Sequence, residues 1–313
     1  MKKLILFFNR FKHNFSYVLL GYLLFCIFVV TSAKGEDYQK AAIIVSREIK
    51  PYFEALEGID DEFSNYSNIT FEVFFLEKFQ GKSITALKNN LNNSEFGIFV
   101  GIGPEALKFL WIDNEIKKPI IFSMVLHPEK IMGDKSCGIP LSLPIDILIK
   151  DIKQSLPSIK NIGLLFDSLN NDDFFQSASK YSQTFSINII PLRVSSKKDI
   201  PSVLKSHWKD IDGIWMIPDS TTISESIIQY LIKESLLKKK IVIGYNKFFF
   251  ESGSALAFVF DYKAIGIQTA KYASHILFAE DTKCEKKNPH YRIHLNENLL
   301  KKLGIIYIDK NNE

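Results

Sequence analysis

Beyond its first thirty residues the sequence has no apolar run long enough to cross a bilayer, which takes about 20 consecutive residues. It also lacks the signatures that announce common enzyme chemistry. No Gly-x-Ser-x-Gly elbow, Walker loop or His-Glu-x-x-His is present, so activated-serine, nucleotide-hydrolysing and zinc-protease readings have no anchor. His127, His207 and His275 stand isolated in sequence and suit ordinary surface or core roles. No low-complexity segment or short-period repeat is visible. An enzyme reading therefore wants partners, and no cofactor is expected.

Charge of one sign is also missing once the leader is set aside. The whole chain holds 39 basic and 35 acidic residues; the first 35 hold five basic and no acidic ones, which leaves 34 against 35. The basic pI thus belongs to the leader and gives no evidence for nucleic-acid binding. Cysteine is scarce, with three in the chain: Cys26, Cys137 and Cys284. A zinc set of Cys284, His290 and His294 is disfavoured, because residues 291–295 alternate like a strand. On a strand the two histidines would stand about 13 Å apart.

What is present begins with a leader. Lys2, Lys3, Arg10 and Lys12 precede a 13-residue apolar core, Val18 to Val30, and a small-residue exit, Thr31-Ser32-Ala33-Lys34-Gly35. Residues 1–35 read as a secretory signal peptide, cleaved after Ala33 or Gly35, with an uncleaved anchor as the alternative. Cys26 is followed by further apolar residues and preceded by bulky Phe25, so it reads as filler within the signal rather than a lipid site. Export makes a disulfide between Cys137 and Cys284 permissible without showing that the two meet.

The remaining 278 or so residues suit two domains of ordinary size. Strand-like runs fall at 41–45, 71–75, 96–100, 119–124, 162–166, 188–192, 213–217, 241–244 and 255–260. They alternate with stretches of helical period at 83–91, 145–156, 224–238 and 263–277. Short strands apolar on both faces, alternating with helices, predict an α/β fold of parallel sheets covered by helices. The pattern occurs twice, on either side of a Gly/Pro-rich passage, 133–144. A second, charged passage at 280–289 is the other expected crossing. Two such sheets place a ligand in the crevice beyond their strand ends.

The informative residues are those just after strands. Ser46 leads the turn after the first strand, and Ser123 lies at the end of the fourth. Gly101 and Gly103 frame the turn before Pro104, where free amides could hold an anion; a plain tight turn is the equal alternative. Gly-x-Gly without a third glycine is no dinucleotide fingerprint. Asp219, after the apolar strand at 213–217, is the sharpest candidate. Its carboxylate could pair with a ligand amine beside Ser220, or Asp219 or Ser220 could cap the helix near Ser224. Asp167, Ser168, Tyr245 and Asn246 follow other strands and suit turn chemistry or recognition equally. Phe248-Phe249-Phe250 reads as packing and Lys238-Lys239-Lys240 as a solvated helix end.

Several segments in order resemble one family. They are residues 49–58 (Ile-Lys-Pro-Tyr through Leu-Glu-Gly), Phe99 to Pro104, Pro119 to Phe122 with Val125 to Pro128, and Leu156 to Leu165. Trp215 to Asp219, Asp261-Tyr262, Gly266, Ile276-Leu277, Asn296 and Leu303-Gly304-Ile305 complete the series. From about Ala41 to Ile305 the chain is similar to the ABC-transporter substrate-binding proteins that include tryptophan/tyrosine-type binders. The resemblance implies a type I periplasmic-binding fold, two Rossmann-like lobes joined by a three-crossing hinge. Lobe 1 would be 36–138 plus 261–285, and lobe 2 would be 139–260 plus 286–313, with Cys137 and Cys284 near the hinge. It further implies a periplasmic or extracytoplasmic protein that binds a small solute, such as an amino acid, by hinge closure and meets an ABC permease. A sensor that signals to a membrane protein by the same closure is the rival reading. The chain departs from the family at Gly103, where a hydroxyl residue is common, and at Asn170-Asn171-Asp172-Asp173, where a Glu…Asn-Ser turn is common. The Asp219 segment is retained.

Overall fold

Strands buried on both faces need helices on both sides, and this chain supplies a helix after nearly every strand. The computed structural model describes residues 38–112, 116–278 and 285–309. The first lobe opens with β1 (Gln39–Val45), α1 (Lys50–Phe63), β2 (Ile69–Phe75), α2 (Lys82–Asn93), β3 (Ile98–Ile102) and α3 (Pro104–Trp111). It continues with β4 (Ile120–Val125), the short α4 (Glu129–Met132) and β5 (Gly138–Pro140). The five strands form a parallel sheet in the order β2-β1-β3-β4-β5.

The second lobe runs through α5 (Ile145–Ser155), β6 (Asn161–Asp167), α6 (Ser168–Ser182), β7 (Asn188–Val194), α7 (Ile200–His207) and β8 (Gly213–Met216). Then come α8 (Glu225–Leu237), β9 (Ile241–Gly244), α9 (Lys247–Glu251) and β10 (Leu256–Phe260). The chain next forms α10 (Tyr262–Phe278), β11 (Tyr291–Leu295) and α11 (Glu297–Leu303). Six strands make the second sheet, ordered β11-β10-β9-β8-β6-β7, parallel except for β11, which pairs antiparallel with β10 at the edge. Each lobe has apolar clusters on both faces of its sheet, as a buried parallel sheet requires.

Helix α10 leaves the second sheet and returns to the first lobe, where it packs on α1. Two glycines set that approach: a Cβ on Gly58 would lie 2.0 Å from the Lys263 carbonyl oxygen, and one on Gly266 would lie 1.9 Å from the Ala55 carbonyl oxygen. Lys263 completes the contact with ion pairs to Glu57 (2.6 Å) and Asp61 (2.8 Å).

Three passages therefore join the lobes. The first was expected to fill 133–144, but Gly138-Ile139-Pro140 forms β5 and stays in the first sheet, leaving 141–144 as the crossing. Proline is tolerated there because β5 is an edge strand. The second passage is Asp261 alone, between β10 and α10. The third returns beside the first: Lys286 bridges Gly138, the Gly138 amide donates to the Glu285 carbonyl, and the Lys287 amide donates to the Gly138 carbonyl. Cys137 is fully buried and disulfide-bonded. Cys284, the partner considered from sequence, and the leader at 1–35 lie outside the described residues. No helix among the described residues is long and apolar enough to cross a membrane.

Candidate functional site

In an open parallel sheet the natural ligand position lies at the strand ends where the order reverses. In the first lobe that point falls between β1 and β3, and in the second between β6 and β8. Asp167 ends β6, and the turns after the other three strands hold Ser46, Gly103 and Asp219. A short hinge joins the two sheets. Asp261 alone separates Phe260, at the carboxyl end of β10, from Tyr262 at the start of α10. Phe260 packs against the cores of both lobes, and Tyr262 feels the charge of Glu54 in the first turns of α1.

The second lobe's rim is built around two buried carboxylates. Asp219 is 2% exposed and Asp167 is 6% exposed. Asp219 Oδ2 accepts from the Asp167 amide (2.8 Å) and from Asn171 Nδ2 (2.7 Å). Its Oδ1 accepts from the amides of Thr221 (2.8 Å) and Thr222 (3.3 Å). Asp167 caps α6 by accepting from the Leu169 amide, and its Oδ2 accepts from the Thr221 hydroxyl at 2.7 Å. A carboxylate has about four acceptor positions, and Asp219 has filled them from its own lobe. Neither carboxylate has a salt-bridge partner among the described residues. Both carboxyl groups are thus met by amide, side-chain amide and hydroxyl donors alone. The helix near Ser224 is capped by Ser224 itself, whose hydroxyl accepts from the Ile227 amide. Ser168 begins α6, and Ser220 is exposed beside Asp219.

The first lobe's rim offers donors. Ser46 is buried, and its oxygen accepts from the Ala106 amide at 2.9 Å. Gly103 takes φ +90°, a conformation that glycine adopts without strain. Its amide donates to the Ser123 carbonyl at 2.9 Å. With Pro104 lacking an N–H, most amides expected to be free in this turn are already engaged. Gly101 was expected in the turn but lies inside β3, where the missing side chain lets α3 approach through Leu107 and Leu110. The Ser123 hydroxyl is fully buried and bonds to Thr269 Oγ1 at 2.8 Å, inside the lobe. Next to it Met124 holds φ +61° at the shift in register between β4 and β5. That is a strained backbone for a residue with a side chain.

Tyr245 and Asn246 follow β9, one strand away from the reversal in the second sheet. Asn246 caps α9 by accepting from the Phe249 amide. The Tyr245 ring packs tilted against Phe249, centroids 5.0 Å apart, and burial, with the charge of Asp219, pushes its phenol up to about 12. Tyr52, Arg47 and Thr221 do not stand out from the sequence as site residues, whereas Asn170 and Asn171 follow a strand and suit turn chemistry or recognition equally. Arg47 ion-pairs with Glu105 at the start of α3. Asn171 leaves helical geometry within α6 (φ −137°, ψ 21°) to reach Asp219. A run of Asn-Asn-Asp-Asp after a strand was the available signal. Among the described residues no group of three or more His, Cys, Asp and Glu could hold a metal, and His294 lies on β11 beside the Phe250 ring.

This architecture recurs in solved structures. The chain overlays a ligand-free, open substrate-binding protein with adhesive properties from Clostridium difficile with a TM-score of 0.71 and 16% identity, covering 88% of this chain and 97% of that one. It overlays a periplasmic ribose ABC transporter structure from Conexibacter woesei with a TM-score of 0.58 and 11% identity, covering 85% and 94%. An ABC domain from Streptococcus pneumonia in complex with L-Trp gives 0.56 and 18%, covering 86% and 95%. These likenesses establish the type I periplasmic-binding fold. No curated protein matches the sequence. The family described as ABC transporter substrate binding protein matches residues 56–311, which span both lobes, all three crossings and the Asp167–Asp219 rim, and the chain belongs to that family.

Proposed function

We propose that this chain is the extracytoplasmic solute-binding component of an ABC importer, closing its two lobes on a small amino-acid-like solute and presenting the closed form to a membrane permease. One observation carries this reading: the strand ends at the two reversal points are unlike, one holding buried carboxyl groups with no ion-pair partner among the described residues and the other hydroxyl donors. A solute with an ammonium group at one end and a carboxylate at the other matches that pairing. The ammonium would displace Asn171 from Asp219, or bind Asp167 and Asp219 from outside. The L-Trp bound to the Streptococcus protein supports the amino-acid class.

Closure follows from binding. A solute held by one lobe gains contacts only when the other arrives, so it selects the closed state. Binding without turnover is the proposed chemistry, and no cofactor takes part in it. The basic leader with its apolar core, residues 1–35, supports export as the route to the place where such a solute would be met.

A thermal-shift screen of residues 36–313 against amino acids, nucleosides and small peptides tests the proposal. A solute present at a hundredfold excess over its dissociation constant raises stability by about 2.7 kcal/mol. A shift with one or more amino acids supports the amino-acid assignment. A shift confined to nucleosides or peptides removes that class but keeps the binder. Silence across the panel sinks the reading.

A further inference from the structure

We infer that Tyr52 is a solute-contacting, specificity-determining residue whose phenol stands in for the side chain that Gly103 lacks. The proposal rests on the solute-binding reading above. Its basis is the space over Gly103. A Cβ placed there would lie 2.6 Å from the Tyr52 hydroxyl and 2.6 Å from Ser46 Oγ. Two hydroxyls, one from the turn after β1 and one from α1, therefore converge on the spot that a residue-103 side chain would occupy. That spot lies at the reversal point of the first sheet.

The Tyr52 hydroxyl has no hydrogen-bond partner among the described residues. Its ring is half-buried and packs against the first lobe's core, so the position of the oxygen is fixed from behind. A phenol oriented by packing and left without a partner is a preorganised donor. Burial raises its pKa, the Glu105 carboxylate adds to this, and the Arg47 guanidinium opposes it. The group thus stays a neutral O–H at physiological pH and can donate to a carboxylate or carbonyl oxygen of the solute. Ser46 differs: its oxygen already accepts from the Ala106 amide, and its own O–H remains to donate. The pair makes a two-hydroxyl clamp for one end of the solute, opposite the carboxylates of the second lobe.

Tyr52→Phe keeps the ring and removes only the oxygen. The probe is the L-amino acid that gives the largest shift with the wild-type protein, compared with the same amino acid as its carboxamide and as its decarboxylated amine. Calorimetry on the Phe variant should show affinity for the amino acid weakened roughly tenfold, as for one hydrogen bond to a charged group. The loss should be smaller for the carboxamide and absent for the decarboxylated amine. The unliganded melting temperature should stay within experimental scatter of wild type. Unchanged affinity for the amino acid overturns the role of Tyr52 while leaving the solute-binding reading intact. An equal loss across all three probes also overturns it, because a packing defect would act on each alike. If the wild-type protein binds no amino acid, the solute class falls first and the Tyr52 assignment falls with it.

Discussion

The two rims are built from opposite halves of the same chemistry, and they are finished to different degrees. In the second lobe Asp219 and Asp167 accept from backbone amides, from Asn171 and from Thr221, so the acceptors are satisfied before any solute arrives. In the first lobe the acceptors are few and donors remain over: the Tyr52 hydroxyl has no partner, and Ser46 keeps a proton to give. A rim that satisfies itself is rigid and contributes to folding. A rim with donors unspent costs less to rearrange and has more to gain from a ligand. The comparison places more of the internal hydrogen bonding on the second lobe's rim and leaves more unspent donors on the first's.

The largest effect that can break this comparison is Asp219→Ala. It orphans the amides of Asp167, Thr221 and Thr222 together with Asn171, and should cost the second lobe about 3 kcal/mol. Denaturant titration followed by the emission of Trp215, buried on β8 in that lobe, measures it. A loss under about 1 kcal/mol would mean the rim is not self-supporting. This also makes Asp219→Ala a poor test of ligand contact alone, since stability and binding would fall together. The matching change in the first lobe, Ser46→Ala, removes one acceptor from the Ala106 amide. It should cost about 1 kcal/mol, read from the emission of Trp111 at the end of α3. If Ser46→Ala proves the more damaging of the two, the assignment of roles is reversed.

Alkaline pH sharpens the contrast without a mutation in the carboxylates. Tyr245 has its phenol raised from 10.0 to about 12, by burial first and by Asp219 second. A raised acid is favoured in its neutral form by the fold, so its contribution is complete below pH 10 and is lost as pH climbs from 10 through 12. Phenolate ultraviolet absorbance should contain a late-titrating component that disappears in Tyr245→Phe. If no late component disappears, Tyr245 is not held against the second lobe's carboxylates.

Much of the fold is legible in the sequence, for a physical reason. Runs such as Ile162–Phe166 and Ile241–Gly244 are apolar on both faces, and strands emerged within two residues of those limits, at Asn161–Asp167 and Ile241–Gly244. β5 escaped because Gly138-Ile139-Pro140 has turn composition, and only pairing with β4 makes it a strand. The turns after the strands were legible too, since strand ends are marked by loss of apolar residues. What those side chains do there was not. Asp219 is saturated by Asn171 and by the Asp167 amide, which approach from a different strand-end turn. Likewise, nothing near Gly103 in sequence announces that Tyr52 of α1 fills the space above it. Hydrogen-bond assignments of this kind are tertiary, and periodicity carries no information about them.

The smallest expected effect belongs to Arg47→Ala, and its smallness is what makes it useful. Arg47 and Glu105 form an ion pair whose side chains are 61% and 42% exposed, and exposed pairs contribute about 0–1 kcal/mol because solvent screens them. Removing the guanidinium should therefore leave first-lobe stability nearly unchanged, by less than about 0.5 kcal/mol, again followed through Trp111. It should act on Tyr52 instead. Arg47 is the group that lowers the Tyr52 pKa, while burial and Glu105 raise it, so its loss must move that phenol's titration to higher pH. The difference spectrum against the Arg47→Ala, Tyr52→Phe double variant isolates that one transition. A stability loss above about 1 kcal/mol would show the first lobe's rim to be as self-bonded as the second's, and the difference between the two rims would be lost.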